Sequence, residues 1–360
     1  MKQFICLASE PWQSVPTRTQ QLMTRLKGAQ VLFFEPPAER GRDARQPGRK
    51  MRPGLTVYTL PPVLNVEERH DYLFRRNQAK LAKYIEARME RHRFREPVLW
   101  CTMPEHVHLT DYLPYRGLVY DCDRAWPGLP PRWETDLAQH ADVIFAASPV
   151  LAGRLSPVGD NIALLPNGAN HPMFSRTDLD VPADLRGFRG PVLGYAGSIW
   201  RDLDLGPVLQ AAADLPGAAF VFVGRVEQNP WLSMLEELPN VRFLGQRPPV
   251  ELPDYLGRFD VCLNLLRRKG AEQDVLPPRI FEYFSTGKPV VSMLYPDQVE
   301  HFPDVVYGAH TAAEFSQLCR RALDEAGDWA RRRRREYGEA NAWSRRAEEV
   351  ERILSAIGLY

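Results

Sequence analysis

The sequence predicts an α/β protein made of two successive halves with parallel sheets. Three observations carry that prediction. Short apolar runs alternate with amphipathic ones along both halves, and parallel pairing follows because each parallel step needs a crossover. The alternation breaks once, over residues 172–191, where Pro172, Pro182, Gly187, Gly190 and Pro191 fall among charges as in a linker. The length of 360 residues suits two domains of ordinary size.

The elements follow in order. The first half reads as a strand over 4–8, a helix over 17–27 and strands over 31–34 and 55–60. A long polar helix follows over 67–93, with Leu73, Leu81 and Ile85 near helical spacing, then strands over 98–101, 118–120, 143–147 and 162–165. The second half restarts with a strand over 192–196, a helix over 203–213 and strands over 219–223 and 241–244. A helix over 249–257, a strand over 261–265, a helix over 277–286 and a strand over 290–293 come next, then helices over 311–325 and 327–357. The expected division is a first domain over 1–175, a hinge over 176–190, a second domain over 191–335 and a terminal helix over 336–360.

Composition narrows the function. Hydrophobic residues make up 44% and charged residues 25%, as in a soluble globular protein. A net charge of +1 argues against nucleic acid as a partner. Basic residues crowd two places: Arg40, Arg42, Arg45, Arg49, Lys50 and Arg52 in one loop, and the run from Arg331 to Arg335. The first could meet an anionic membrane surface, although a solvated loop is the simpler expectation. The second reads as a solvated helix face, with Trp343 as a buried anchor nearby. The five cysteines form no C-x-x-C pair, so no zinc or redox motif is indicated. The apolar run before Ser9 is too short for a signal peptide, and no run nears the roughly 18 residues that span a bilayer. A cytoplasmic location is the expectation.

In open α/β sheets ligands bind at the carboxyl ends of the strands. The loops that follow strands therefore hold the candidates. Ser9 to Trp12 follow the first strand, with Arg18 opening the next helix. Asp121 and Asp123 follow the strand ending at Tyr120, and Asn167 follows the strand over 162–165. In the second half Gly197, Ser198 and Arg201 follow the first strand, Gly224 and Arg225 the second, and Gly245 and Gln246 the third. No P-loop, G-x-G-x-x-G, G-x-S-x-G or H-E-x-x-H motif is present. His106 and His108, two apart, would diverge on a helix and do not suit a metal pair.

The densest stretch is QDVLPPRIFEYFSTGKPVV, residues 273–291. Pro277 and Pro278 suit a helix's first turn, and Gly287 its end. Asp274 precedes the helix and Glu282 lies about one turn inside it. Amides near Val275 and Leu276 can face an anion at the helix's positive end. A carboxylate at Glu282 can accept bonds from vicinal hydroxyls. The alternative is a capping Asp274 and a solvated Glu282, and this stretch alone leaves both open.

That stretch resembles the paired-acid motif of retaining GT-B glycosyltransferases, notably glycosyltransferase family 4. LVYDCD, HADVIFAASPVLAGRL, LLPNGANHPMF, VLGYAGSIWRDLD, NVRFLGQRPPVELPDYLGRFDVCLNLL and NAWSRRAEEVERIL are similar to further family segments in the family's order. The resemblance implies two Rossmann-like domains facing across a cleft, the first on the acceptor side and the second binding a nucleotide sugar, with the terminal helix returning to the first. It implies transfer from a UDP- or GDP-sugar, a co-substrate rather than a cofactor, to a glycan or lipid-linked acceptor in cell-surface polysaccharide synthesis. Anomeric configuration is retained and no metal is bound. By resemblance Glu282 binds ribose hydroxyls and Asp274 the donor sugar. Arg201, Arg225 and Arg279, in that order, are the cations for the diphosphate, and Gly245 and Gln246 lie near the base. Gly197, Ser198, Asn167, Val275 and Leu276 complete the donor side. Ser9, Trp12, Arg18, Asp121 and Asp123 are the acceptor-side and catalytic candidates. The chain departs from the family in having Asp274 for the more usual Glu, in replacing a cation by Ser198, and in lacking the glycine-rich loop after the first strand. Two other readings share the architecture: a nucleotide-sugar 2-epimerase and a non-catalytic partner subunit with a degenerate site.

Overall fold

The structure, a computed structural model, describes residues 2–13, 15–39, 47–66, 70–201, 203–265, 275–294 and 302–360. It divides into two compact units: Met1–Pro166 with Arg346–Tyr360, and Asn167–Arg345.

The first unit carries strands β1 (Lys2–Leu7), β2 (Ala29–Pro37), β3 (Arg49–Arg52), β4 (Leu55–Leu60), β5 (Val98–Cys101), β6 (Gly117–Cys122), β7 (Val143–Ala146) and β8 (Ile162–Leu164). They form one sheet in the order β3-β4-β2-β1-β5-β6-β7-β8. All pairings are parallel except β3 with β4. The inner strands β1, β5, β6 and β7 are almost wholly buried, as expected where both faces are covered. The helix Asp71–His92 ends at Arg93, which adopts the left-handed conformation. The short helix Arg18–Met23 starts from a capping box made by Thr17 and Gln20.

The second unit carries β9 (Val192–Ala196), β10 (Ala219–Val223), β11 (Val241–Phe243), β12 (Val261–Asn264), β13 (Val290–Met293) and β14 (Val306–Ala309). These make an all-parallel sheet in the order β11-β10-β9-β12-β13-β14. One face packs on Val208, Ala211, Phe315 and Cys319; the other packs on Leu256, Ile280, Phe281 and Phe284.

The structure differs from the sequence expectation at several places. Residues 49–52 form an antiparallel edge strand rather than loop; its arginines and lysine suit an exposed sheet edge. Arg40, Arg42 and Arg45 lie outside the described residues. The unit boundary falls at 166/167 and again at 345/346, not at 175 and 335. Residues 176–190 belong to the second unit, because their chain carries an apolar anchor that composition hides. Leu185 is fully buried among Leu256 and Phe259, and Arg258 donates to the carbonyls of Phe188 (3.1 Å) and Gly190 (3.2 Å). The last helix breaks in two, Trp329–Ala340 and Trp343–Ala356, where Ala169 pairs with Ala342 and accepts from the Trp343 amide at 2.9 Å. Trp343 is buried, as expected. The arginine run is not a uniformly solvated face: Arg334 is completely buried.

Candidate functional site

In the second unit β9 lies between β10 and β12. The crossovers leave β9 and β12 in opposite directions, and such a reversal opens a crevice at the carboxyl ends of the two strands. The Gly197 amide donates to the Val223 carbonyl at 2.9 Å, and the Gly224 amide to the Gly245 carbonyl at 2.9 Å, so successive strand ends are laced together. Gly224 has φ +156°, and a Cβ there would lie 2.0 Å from the Gly197 carbonyl oxygen. Only glycine lets these two loops approach so closely. Recurrent glycine at the strand ends, noted from sequence, has this physical basis.

The helix Pro278–Thr286 begins at the same crevice. Pro278 occupies its first turn, and Gly287 closes it in the left-handed conformation at φ +78°. Tyr283 ties it to the end of β9 by accepting from the Ala196 amide at 2.9 Å. Arg279 and Glu282, three residues apart, share a face. Arg279 donates from Nη2 to the Leu265 carbonyl, just past β12, at 2.6 Å. Its guanidinium lies 4.9 Å from the centre of the Tyr195 ring, and the Tyr195 hydroxyl donates to the Ser198 carbonyl at 3.1 Å. Arg279 therefore bridges the ends of β9 and β12, while its buried Nε has no partner among the described residues. Glu282 is half-buried, and burial pushes its carboxyl up to about 7 against the pull of Arg279. Asn167, itself buried, donates from Nδ2 to the Leu276 carbonyl at 2.9 Å and fixes the chain entering the helix.

The predicted donor-side residues thus converge in part. Gly197, Ser198, Leu276, Arg279 and Glu282 meet around one helix and one crevice. Asn167 joins them through its bond to the Leu276 backbone. Val275 is half-buried just before the helix, Gln246 is exposed after β11, and Arg201 is exposed on the turn after Trp200. The three candidate cations differ in their settings. Arg225 is paired with Glu227 on the surface, whereas Arg279, placed last, is the cation built into the crevice. Asp274 lies outside the described residues.

The acceptor-side candidates lie in the first unit. Asp121 has no exposed surface; Arg18, also buried, donates to its Oδ1 from Nε at 3.0 Å. Burial pushes the Asp121 carboxyl up and Arg18 pulls it down. Asp121 and Arg18 form a buried ion pair joining the end of β6 to the first helix. Asp123 is held by Arg124 (3.0 and 2.9 Å), which also pairs with Glu10 at 2.9 Å. Ser9 donates its amide to Thr102 Oγ1 at 2.8 Å, and Trp12 its amide to Glu35 at 2.8 Å. Glu35, which also takes Thr59 and Arg49, is a buried hub that sequence reading missed, because a lone Glu in an apolar strand carries no motif. His106 and His108 do diverge. His106 Nδ1 accepts from the Thr102 amide at 3.3 Å, and His108 packs edge-on against Phe74 and Trp133.

Comparison with known proteins agrees with this architecture. Residues 206–352 match the family model described as Glycosyl transferase-like. Over 257 residues the chain is 28% identical to the Bacillus subtilis (strain 168) protein named Putative teichuronic acid biosynthesis glycosyltransferase TuaH. That match spans 64% of this chain and 64% of the relative's length. Sucrose-phosphate synthase from Thermosynechococcus elongatus superposes with a TM-score of 0.73 at 15% identity, covering 99% of each chain. A UDP-forming α,α-trehalose-phosphate synthase from Burkholderia xenovorans, in complex with glucose-6-phosphate, gives 0.73 at 11% identity, covering 99% of this chain and 100% of that one. The chain therefore has the GT-B glycosyltransferase fold, and its residues 206–352 carry a glycosyl transferase-like segment.

Proposed function

We propose that the protein is a glycosyltransferase that moves a sugar from a nucleoside-diphosphate sugar to a glycan or lipid-linked acceptor in cell-surface polysaccharide synthesis. The observation that carries this reading is the Arg279–Glu282 pair, set on one helix face beside the crevice of β9 and β12. The Bacillus relative's name supports the polysaccharide context, and the UDP-forming structural neighbour supports a nucleotide donor. In the proposed reaction the bond between the anomeric carbon and the diphosphate oxygen breaks, and its electron pair leaves with the nucleoside diphosphate. The acceptor hydroxyl oxygen bonds to that carbon and releases its proton. Arg279 and the Ser198 amide face the charge that develops on the leaving group, and preorganised donors of this kind accelerate such a step. Glu282 accepts from vicinal hydroxyls of the nucleoside. The role of Asp274 on the donor sugar, the retention of configuration and the absence of a cofactor belong to the same proposal.

The test is a panel of UDP-, GDP- and ADP-sugars scored by thermal shift and transfer. Saturable stabilisation by one nucleotide, weakened in Glu282→Ala, is expected. No stabilisation by any nucleotide would overturn the reading.

A further inference from the structure

The first unit contains a cavity of about 450 Å³ that none of the predicted site residues lines. It is within the ~300–1,000 Å³ typical of small-molecule sites. Its place in the sheet is informative. β1 lies between β2 and β5, so this sheet reverses at β1 and β5 as the other does at β9 and β12. Leu7 and Met103 bring the cavity to the carboxyl ends of those two strands, and Leu60 and the helix Asp71–His92 close it on the far side.

The chemistry of the walls is uneven. Phe34, Leu60, Phe74, Leu81 and Leu109 make an apolar body. The backbone of Leu64 is clamped by Asn77, which accepts from its amide at 3.2 Å and donates to its carbonyl at 2.8 Å, so this wall is fixed. Polar groups come from Gln78, Glu105 and His106. The side chains of Gln78 and Glu105 have no hydrogen-bond partner among the described residues. His106 Nδ1 accepts from the Thr102 amide, which places the ring proton on Nε2 as a donor. Burial pushes His106 down to about 3, so the ring is neutral, and pushes Glu105 up. Among the described residues no lysine or arginine lines the cavity, while Glu39 and Glu105 do. Among the described residues an anion placed here would meet carboxylates and no cation.

We propose that this cavity binds an uncharged amphiphile: an alkyl or polyprenyl-like apolar body whose hydroxylated head is read by Gln78, Glu105 and His106. It rests on the proposed glycosyltransferase reading only in taking that amphiphile as the aglycone end of the acceptor. A phosphorylated sugar would set its charge against Glu39 and Glu105.

The experiment titrates the full chain by calorimetry with n-octyl β-D-glucoside below its micelle concentration, beside glucose and glucose 6-phosphate. Saturable binding of the alkyl glucoside, at least tenfold tighter than either sugar, is expected. Leu64→Glu changes a wall residue that is 42% exposed, and Val63→Trp fills the space from a half-buried loop position. Each should weaken alkyl-glucoside binding at least tenfold and leave nucleotide stabilisation unchanged, which also shows that the variants fold. Glucose 6-phosphate binding as tightly as the alkyl glucoside, no saturable binding, or binding that ignores both variants overturns the proposal. Nucleotide binding with no amphiphile binding sinks this inference alone. Amphiphile binding with no nucleotide binding sinks the glycosyltransferase reading and leaves the cavity site standing.

Discussion

Glu282 shows how one residue's surroundings set its use. A carboxyl pushed by burial up to about 7 is half-charged at neutral pH, and the charged form is the stronger acceptor of hydroxyl bonds. Hydrogen bonds to charged groups contribute about 1.5–3 kcal/mol each, so losing them weakens nucleotide binding at least about tenfold. Affinity should therefore rise with pH through about 7, and Glu282→Gln should bind weakly with a flat profile across that range. The same shift has the opposite sign for stability. The folded value lies above the ordinary carboxyl value, so the folded state holds the proton more tightly. This contribution is fully present below the ordinary value and is lost as pH rises through about 7. Thermal midpoints of wild type and Glu282→Gln should diverge over that interval, the wild type falling further as pH rises. Parallel midpoint curves would mean that Glu282 is not held in a desolvated place.

At the scale of the element, the helix Pro278–Thr286 is fixed at both ends, and its two ends differ in how readable they are. Its prolines, Gly287 and the place of Glu282 about one turn in are legible in the sequence because each is a local rule. What holds the C-terminal end is not local. Arg334, nearly fifty residues further on, donates from Nη1 to the Gly287 carbonyl at 2.9 Å and from Nε to the Val305 carbonyl at 3.0 Å, and pairs with Glu325. Inside a run of five arginines nothing marks the buried one, so the sequence suggests a solvated face. The same reason explains Asp121 and the cavity around His106. Their burial depends on which strands become neighbours, and single-residue chemistry does not reveal that. Removing one member of a buried ion pair leaves the other uncompensated, which costs about 3–5 kcal/mol. Arg334→Ala should lower stability by that order in chemical denaturation and weaken nucleotide binding as the helix loosens. An unchanged midpoint would show that Glu325 and the two carbonyls are satisfied without it.

For the whole molecule, the alternation of strands and helices revealed the two halves, yet the chain crosses between units at 345/346, within one helix. The final residues belong to the first unit's core. Leu359 is buried, its carbonyl accepts from Arg116 at 2.7 Å, and the Tyr360 hydroxyl donates to the Lys27 carbonyl at 2.6 Å. Lys2 lies 3.5 Å from the centre of the Tyr360 ring, so the first strand and the last residue of the chain close the same unit. A Cβ on Gly117 would meet the Leu359 side chain at 2.4 Å, which shows how tightly the terminus seats against β6. Truncating such a leucine leaves a cavity and costs about 2–5 kcal/mol. Leu359→Ala should therefore lower the melting of the first unit in calorimetry. Nucleotide affinity should be unchanged, because Gly197, Arg279 and Glu282 all lie in the other unit. If the variant weakened nucleotide binding as much as stability, the two units would not be the separate bodies that their cores define.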